Sequence, residues 1–370
     1  MIIKNASVFE ENGTFVTKDI YIEGESFTDS SSDETVIDAD GLYAIPGLTD
    51  VHFHGCVGYD FCDGTHEAIR AIAEYELKNG VTNICPATMT YDEDTLSKIG
   101  TAAATYDNAS GAELVGINME GPFIAPAKKG AQNGKYIHKP DIDMFRRLQE
   151  KAAGLYKLVD IAPEEEGSMD FIEALKDEVT ISIAHTTADY EIANEAYKKG
   201  ARHATHLYNA MPPFSHRAPG VIGAACDNDH VRVELICDGI HIHPSVVRTT
   251  FKMFGDDRVI LISDSMMATG LTDGDYSLGG QAVKVVGQLA TLADGTIAGS
   301  ATNLMGCLRT AVQKMGIPLG SAVKAAAVNS AKAIGIYENY GSITPGKKAN
   351  LVLLDKDLNI VKIIFKGQEV

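Results

Sequence analysis

Leu42-Tyr43-Ala44-Ile45-Pro46-Gly47-Leu48-Thr49-Asp50-Val51 is a ten-residue apolar run. It is followed by a helical stretch at Thr65–Lys78 and a second apolar run at Val81–Cys85. The helical stretch places Ile69, Ile72, Ala73 and Leu77 on one face and stops at Asn79-Gly80, a favourable helix C-terminus. The pattern then repeats. Further apolar runs occur at Glu113–Met119, Leu158–Ala162, Val179–Ala184, His203–Leu207, Val231–Cys237 and Val259–Ser263. Most are continuously apolar, as strands covered on both faces are. Helices are expected at Tyr190–Lys199, Ser245–Phe254 behind Pro244, Asn303–Lys314 and Gly320–Ile334. Eight strands alternating with helices predict an α/β fold, a (β/α)8 TIM-type barrel. An open dinucleotide-binding sheet would carry a G-x-G-x-x-G turn after its first strand, and none is there.

Outward from this repeat the rhythm changes. Met1–Phe9, Phe15–Ile22 and Thr35–Ile37 read as short strands, with a hairpin at Asn12-Gly13, and Asn350–Ile364 is strand-like again. A small β-sandwich domain built from residues 1–45 and 346–370 is therefore expected to bracket a barrel of residues 46–345. Tyr276–Ala298, with its paired glycines, predicts a β-excursion after the eighth strand.

At 370 residues the chain is long enough for such a barrel, and 45% hydrophobic with 22% charged residues suits a buried core. The net charge of −18 repels nucleic acid and anionic membrane surfaces. An anionic substrate must then be held by local positive charge or by metal. No apolar stretch approaches the ~18 residues of a membrane span. Six cysteines without a C-x-x-C pair suit buried thiols in a reducing compartment. The chain starts directly on a strand, and a cytoplasmic location is expected.

The ends of the barrel strands carry the chemistry. Strand one runs into Asp50-Val51-His52-Phe53-His54-Gly55, strand three into Glu120, five into His185 and six into His206. Seven runs into Asp238-Gly239-Ile240-His241, and eight into Asp264. The C-terminal face of a barrel gathers such groups at one mouth. Any one of them alone could be a turn or cap residue; six at six strand ends form a set. His52 and His54, two apart on a strand, point to the same face. Glu120, His185 and His206 could supply one carboxylate and two imidazoles to a divalent metal. That set leaves the ion net positive and able to acidify water. Asp264 could accept the water's proton and return it to a leaving nitrogen, with a helix N-cap as its alternative role.

Pro46-Gly47-Leu48-Thr49-Asp50-Val51-His52-Phe53-His54-Gly55 and Pro345-Gly346-Lys347-Lys348-Ala349-Asn350-Leu351-Val352 resemble the amidohydrolase superfamily. Four inner segments are similar to its deacetylases of N-acetylglucosamine 6-phosphate. They are Met119-Glu120-Gly121-Pro122-Phe123, Lys128-Lys129-Gly130, Thr205-His206-Leu207-Tyr208-Asn209-Ala210-Met211 and Cys237-Asp238-Gly239-Ile240-His241. The resemblance implies metal-dependent hydrolysis of an acetamido group on a phosphorylated N-acetylamino sugar. Glu120, His185 and His206 would hold the metal, Asp264 would act as general base and acid, and Asn209, Ala210, Arg217 and His241 would bind substrate. It also implies a homodimer whose phosphate site borrows from the neighbouring subunit.

His52 and His54 replace amides found in some members and admit a second ion, so one or two per subunit are expected. Zinc is the first choice, with iron, cobalt or manganese open on this donor set. Where the family places a carbonyl-polarising histidine, this chain has Gln132, which donates only a neutral hydrogen bond to substrate. The alternatives are a deacetylase for another sugar such as N-acetylgalactosamine 6-phosphate, a cyclic amidase, or a weakened barrel that only binds amino-sugar phosphate. The cyclic-amide route wants a lysine at the end of strand four, and Ala162-Pro163-Glu164 offers none.

Overall fold

A computed structural model describes residues 1–370. Eight parallel strands form its centre: β1 (Leu48–Asp50), β2 (Val81–Ile84), β3 (Ile117–Met119), β4 (Tyr156–Ile161), β5 (Thr180–Ile183), β6 (His203–Ala204), β7 (Arg232–Ile236) and β8 (Val259–Ile262). Adjacent strands pair in chain order from β3 to β8. The second strand breaks at Pro86, which has no N–H to give a ladder. Before the break β2 pairs with β1; after it Ala87–Thr88 pairs with β3. Across the seam the Asp264 N–H donates to the His52 carbonyl (3.0 Å), and the His54 N–H donates to that of Ser265 (2.7 Å). These bonds bring the residues after β8 against those after β1, so the sheet curls into the predicted barrel.

β2, β5 and β8 are buried at every position, as parallel strands wrapped by helices must be. The helix His66–Lys78 begins where the Thr65 side chain accepts the Ala68 N–H and ends at Asn79. Tyr190–Lys199, Pro244–Phe254 and Leu304–Gln313 also form at their expected places. The stretch Leu319–Ala333 is helical but widens into a π-type segment at Lys324–Val328. Four further helices cover the barrel at Glu93–Ala104, Ile142–Lys151, Ser168–Leu175 and Gly220–Asp227.

The run Leu42–Val51 serves two sheets rather than one strand. Tyr43–Pro46 pairs antiparallel with Leu351–Leu354 in the small sheet, while β1 enters the barrel. The changeover is at Gly47, where a Cβ would lie 2.2 Å from Thr82 Oγ1; only glycine lets the two sheets approach so closely. The small sheet joins strands from Ile2–Phe9 to Tyr43–Pro46 with strands from Leu351–Leu354 to Gln368–Glu369. It curls back on itself: Phe27 donates to the Lys347 carbonyl and accepts from Gly346 N–H. Between the layers lies a core of its own, including Ile3, Val8, Ile22, Phe27 and Leu351.

The β-excursion is a four-stranded antiparallel meander over Gly274–Ser300. It packs Leu278, Val283 and Ala298 against Met89 and Met266 and stands beside the C-terminal mouth of the barrel.

Candidate active site

The strand ends deliver their side chains to one point. His185 Nε2 lies 2.9 Å and His206 Nε2 3.1 Å from Glu120 Oε1, and the two imidazole nitrogens are 3.1 Å apart. His52 Nε2 is 3.5 Å from the same oxygen. His54 Nε2 lies 3.3 Å from both Glu120 Oε2 and Asp264 Oδ1. All six groups are buried. His52 and His54 sit just past the end of β1 rather than within it, yet both rings face this cluster.

Backbone conformation at the strand ends achieves the convergence. His185 (φ 43°), His206 (φ 29°) and Asp264 (φ 50°) all adopt left-handed conformations, which side chains with a Cβ rarely take and which gather where function demands them. Two residues past the end of β5, β6 and β8 the backbone turns sharply and projects that side chain into the mouth instead of along the barrel wall.

Hydrogen-bond partners behind the rings set their tautomers. The Lys128 carbonyl lies 2.8 Å from His185 Nδ1, and the Glu234 carboxylate 3.1 Å from His52 Nδ1. Both partners only accept, so each Nδ1 carries the hydrogen and each Nε2 turns a lone pair inward. Lone pairs of His185 and His52 then face a carboxylate oxygen, and the buried His52 Nε2 has no hydrogen-bond partner. Such an arrangement repels itself unless a cation lies among the atoms. A metal ion therefore fits these residues. Two overlapping groups, His52–Glu120–His206 and His52–His54–Asp264, bring their ligand atoms within 4.8 Å of one another.

Electrostatics point the same way. Burial alone would raise Glu120, but the imidazoles packed against it, His52 first and then His185 and His206, outweigh burial and hold its carboxyl well below the usual carboxylate range. Burial likewise opposes ionisation of Asp264, and His54 and His52 outweigh it, so Asp264 is also held ionised.

Above the cluster a cleft of about 370 Å³ is lined by Lys128, Gly130, His206, Asn209, Ala210, His241 and Asp264, with Thr296–Gly299 of the meander as its outer wall. Asn209, Ala210 and His241 thus stand where sequence reasoning put substrate contacts. Gln132 and Arg217 do not. Gln132 is 2% exposed, and both ends of its amide are engaged by buried protein groups beneath the cleft. Its oxygen accepts the Thr90 N–H (2.7 Å) and its nitrogen donates to Glu120 Oε2 (2.8 Å). Arg217 lies on an exposed loop and lines a separate depression with Asp189 and Tyr190.

Sequence reasoning missed Glu234. Wholly buried in β7, it binds His52 Nδ1 through Oε2 and His203 Nε2 (2.9 Å) through Oε1, and accepts the His206 N–H (3.1 Å). A single carboxylate inside the apolar run Val231–Cys237 was the available signal, because a buried charge needs partners. Cys56 is a buried free thiol, and His243 caps the helix Pro244–Phe254.

Known proteins share this architecture. The sequence profile of the amidohydrolase family matches residues 43–370. The chain is 38% identical over 372 residues to the N-acetylglucosamine-6-phosphate deacetylase of Bacillus subtilis, covering 99% of this chain and 93% of that one. It is 31% identical to the N-acetylgalactosamine-6-phosphate deacetylase of Escherichia coli O157:H7, over 90% of this chain and 89% of that one. Among solved structures, an aspartate-to-alanine mutant of the N-acetyl-D-glucosamine-6-phosphate deacetylase of Mycobacterium smegmatis, in complex with N-acetyl-D-glucosamine-6-phosphate, superposes with a TM-score of 0.93. That match is 29% identical and covers 100% of this chain and 98% of the other. With the profile spanning the barrel and relatives aligned end to end, the chain belongs to the amidohydrolase family.

Proposed function

We propose that this protein hydrolyses the acetamido group of N-acetylglucosamine 6-phosphate, releasing acetate and glucosamine 6-phosphate. The observation that carries this reading is the meeting of Glu120, His185 and His206 around one point, with Asp264 beside it on the floor of a cleft lined by Asn209, Ala210 and His241. Named relatives along the whole chain support the substrate.

Glu120, His185 and His206 would hold a divalent ion, zinc by preference and iron, cobalt or manganese on the same donors. His52 and His54, with Asp264, offer a second position. The chemistry such an ion supplies when bound there is acidification of water and polarisation of an amide carbonyl. Everything else falls to the chain. Asp264, held ionised at the floor, takes one proton from the attacking water at a carboxylate oxygen. The water's oxygen bonds to the carbonyl carbon, the C–N bond breaks, and Asp264 passes the proton to the departing nitrogen. His54, 3.3 Å from Asp264 Oδ1, keeps that carboxylate oriented between the two transfers. Asn209, the Ala210 backbone and His241 hold the sugar phosphate along the cleft.

The phosphate needs a guanidinium fork, and Arg217 does not reach the cleft of its own chain. Arg217 and the half-exposed Phe214 stand on an exposed loop; in this reading the enzyme is a homodimer and each Arg217 serves its partner's cleft. A cytoplasmic location suits a phosphorylated substrate. No helix is long and apolar enough to cross a membrane.

Acetate release from N-acetylglucosamine 6-phosphate, measured beside the galactosamine epimer and together with metal analysis, tests the assignment. Asp264→Asn is expected to lower turnover by about 10²–10⁴-fold with bound metal retained. Near-normal turnover in that variant would refute the mechanism. Preference for the epimer would move the enzyme to the substrate named for the Escherichia coli relative.

A further inference from the structure

At the opposite end of the barrel from the cleft, the N-terminal ends of β4 to β7 open into a second cavity of about 450 Å³. Four cations line it: Lys157 near the start of β4, Arg202 just before β6, Arg232 opening β7, and Lys332 on the last helix. Each is half-buried. Glu178 is the one acid in the lining, and it is already engaged by Arg146 at 2.7 Å.

The four charges are poorly compensated. Arg202 finds only the Thr180 hydroxyl, at 3.3 Å, and Arg232 Nε has no partner at all. Lys332 rests over the Tyr337 ring, 4.5 Å from its centroid. Burial first and the charge of Arg202 second hold Arg232 below the ordinary guanidinium range. On the floor sits His203, wholly buried, with Nε2 bonded to Glu234 and Nδ1 without a partner. In a chain of net charge −18, four cations gathered in one concavity, with Glu178 engaged by Arg146 and nearby Asp257 by Lys324, cost self-repulsion that a bound anion relieves.

We propose that this cavity is a second binding site, for a small phosphorylated metabolite. Two guanidinium forks and two ammonium groups match the several acceptor oxygens and double charge of a phosphate monoester. The volume admits a ligand of sugar-phosphate size. Because active sites of this fold lie at the other end of the barrel, the site is separate from catalysis. It nevertheless reaches the catalytic cluster through the buried contacts His203–Glu234–His52.

Isoleucine-methyl NMR on the metal-loaded full chain, titrated with inorganic phosphate, resolves the two sites. Ile334 lines the basic cavity and Ile297 the catalytic cleft. The Ile334 methyl should shift saturably. In an Arg232→Gln/Lys332→Gln variant its apparent affinity should fall by about tenfold or more, with the Ile297 response unchanged as the check on folding. If the double variant does not fold, Lys332→Gln alone is read the same way and must weaken the Ile334 response. An Ile334 methyl that ignores phosphate in the unaltered protein, or titrates with the same midpoint in the variant, overturns the proposal.

Discussion

Asp238 Oδ2 lies 2.7 Å from His241 Nδ1, while Asp238 Oδ1 accepts the N–H groups of Ile240 and His241, each at 2.9 Å. One carboxylate thus ties down both the loop after β7 and the imidazole it presents to the cleft. Burial disfavours charge on His241, but the hydrogen bond and negative charge of Asp238 outweigh it and raise the pKa above its ordinary 6.5.

A raised imidazole pKa means that the cation persists above pH 6.5 and disappears as pH climbs through the raised value. The stabilisation it gives the fold is fully present below 6.5 and is lost as pH rises through the raised value. If the cation grips a phosphate, KM should be lowest below the raised pKa and rise as pH climbs through it. Asp238→Asn should move that rise to lower pH. A pH profile of KM, with NMR titration of His241 in both proteins, measures the shift; an unmoved profile would remove His241 from phosphate binding.

Gln132 gives a prediction of another kind. Where sequence comparison suggested a substrate contact, the amide instead bridges the Thr90 N–H and Glu120 Oε2, so its role is to aim a carboxylate. Partners behind a metal ligand are typically worth 10–100-fold in affinity. Gln132→Ala should therefore weaken metal binding by about 10–100-fold while KM changes little. Metal titration of the stripped protein reads the first quantity and steady-state kinetics the second.

The groups that meet in the candidate site were legible because each sits at the end of an apolar run, where a polar side chain has few reasons to be. Glu120, His185, His206 and Asp264 stood out for that reason. Glu234 lies inside a run and registers in sequence only as an interruption; its partners, His52 and His203, come from β-strand ends 182 and 31 residues away. Side-chain direction was hidden as well. Gln132 and Arg217 have suitable chemistry, but whether an amide or a guanidinium points into a cleft depends on loops that carry no periodicity. The run Leu42–Val51 misled for a related reason: apolar character marks burial and does not say which of two sheets is being buried, a choice made by the close approach of Gly47 to Thr82.

Arg217 leads to a complementation experiment. Alone, Arg217→Gln should raise KM for the sugar phosphate far more than it lowers kcat, since in the proposed dimer the guanidinium would contact the non-reacting end of the substrate. Asp264→Asn should be nearly inactive. A mixed dimer of the two variants has one cleft with an intact Asp264 and, from the other protomer, an intact Arg217. Dissociating and re-associating the two proteins should restore low-KM activity that neither parent shows. No recovery, with mixed dimers demonstrated by mass, would mean that each Arg217 acts within its own chain or not at all.

The helix His66–Lys78 carries a carboxylate with no catalytic use. Glu76 is completely buried, and neither carboxylate oxygen has a hydrogen-bond partner. Burial, and then the negative charge of Asp50, push its pKa well above the ordinary 4.5, so the folded protein carries it protonated. The unfolded chain releases that proton above about pH 4.5. The favourable protonation linkage is therefore fully present below that value and drains away as pH rises towards the folded pKa. Glu76→Met keeps similar bulk and removes the unpartnered polar atoms. It should stabilise the protein by about 1–3 kcal/mol near pH 8 and by clearly less at pH 5. Thermal melts of the two proteins across that interval check the sign; a gain that does not grow with pH would place a partner on Glu76 in solution.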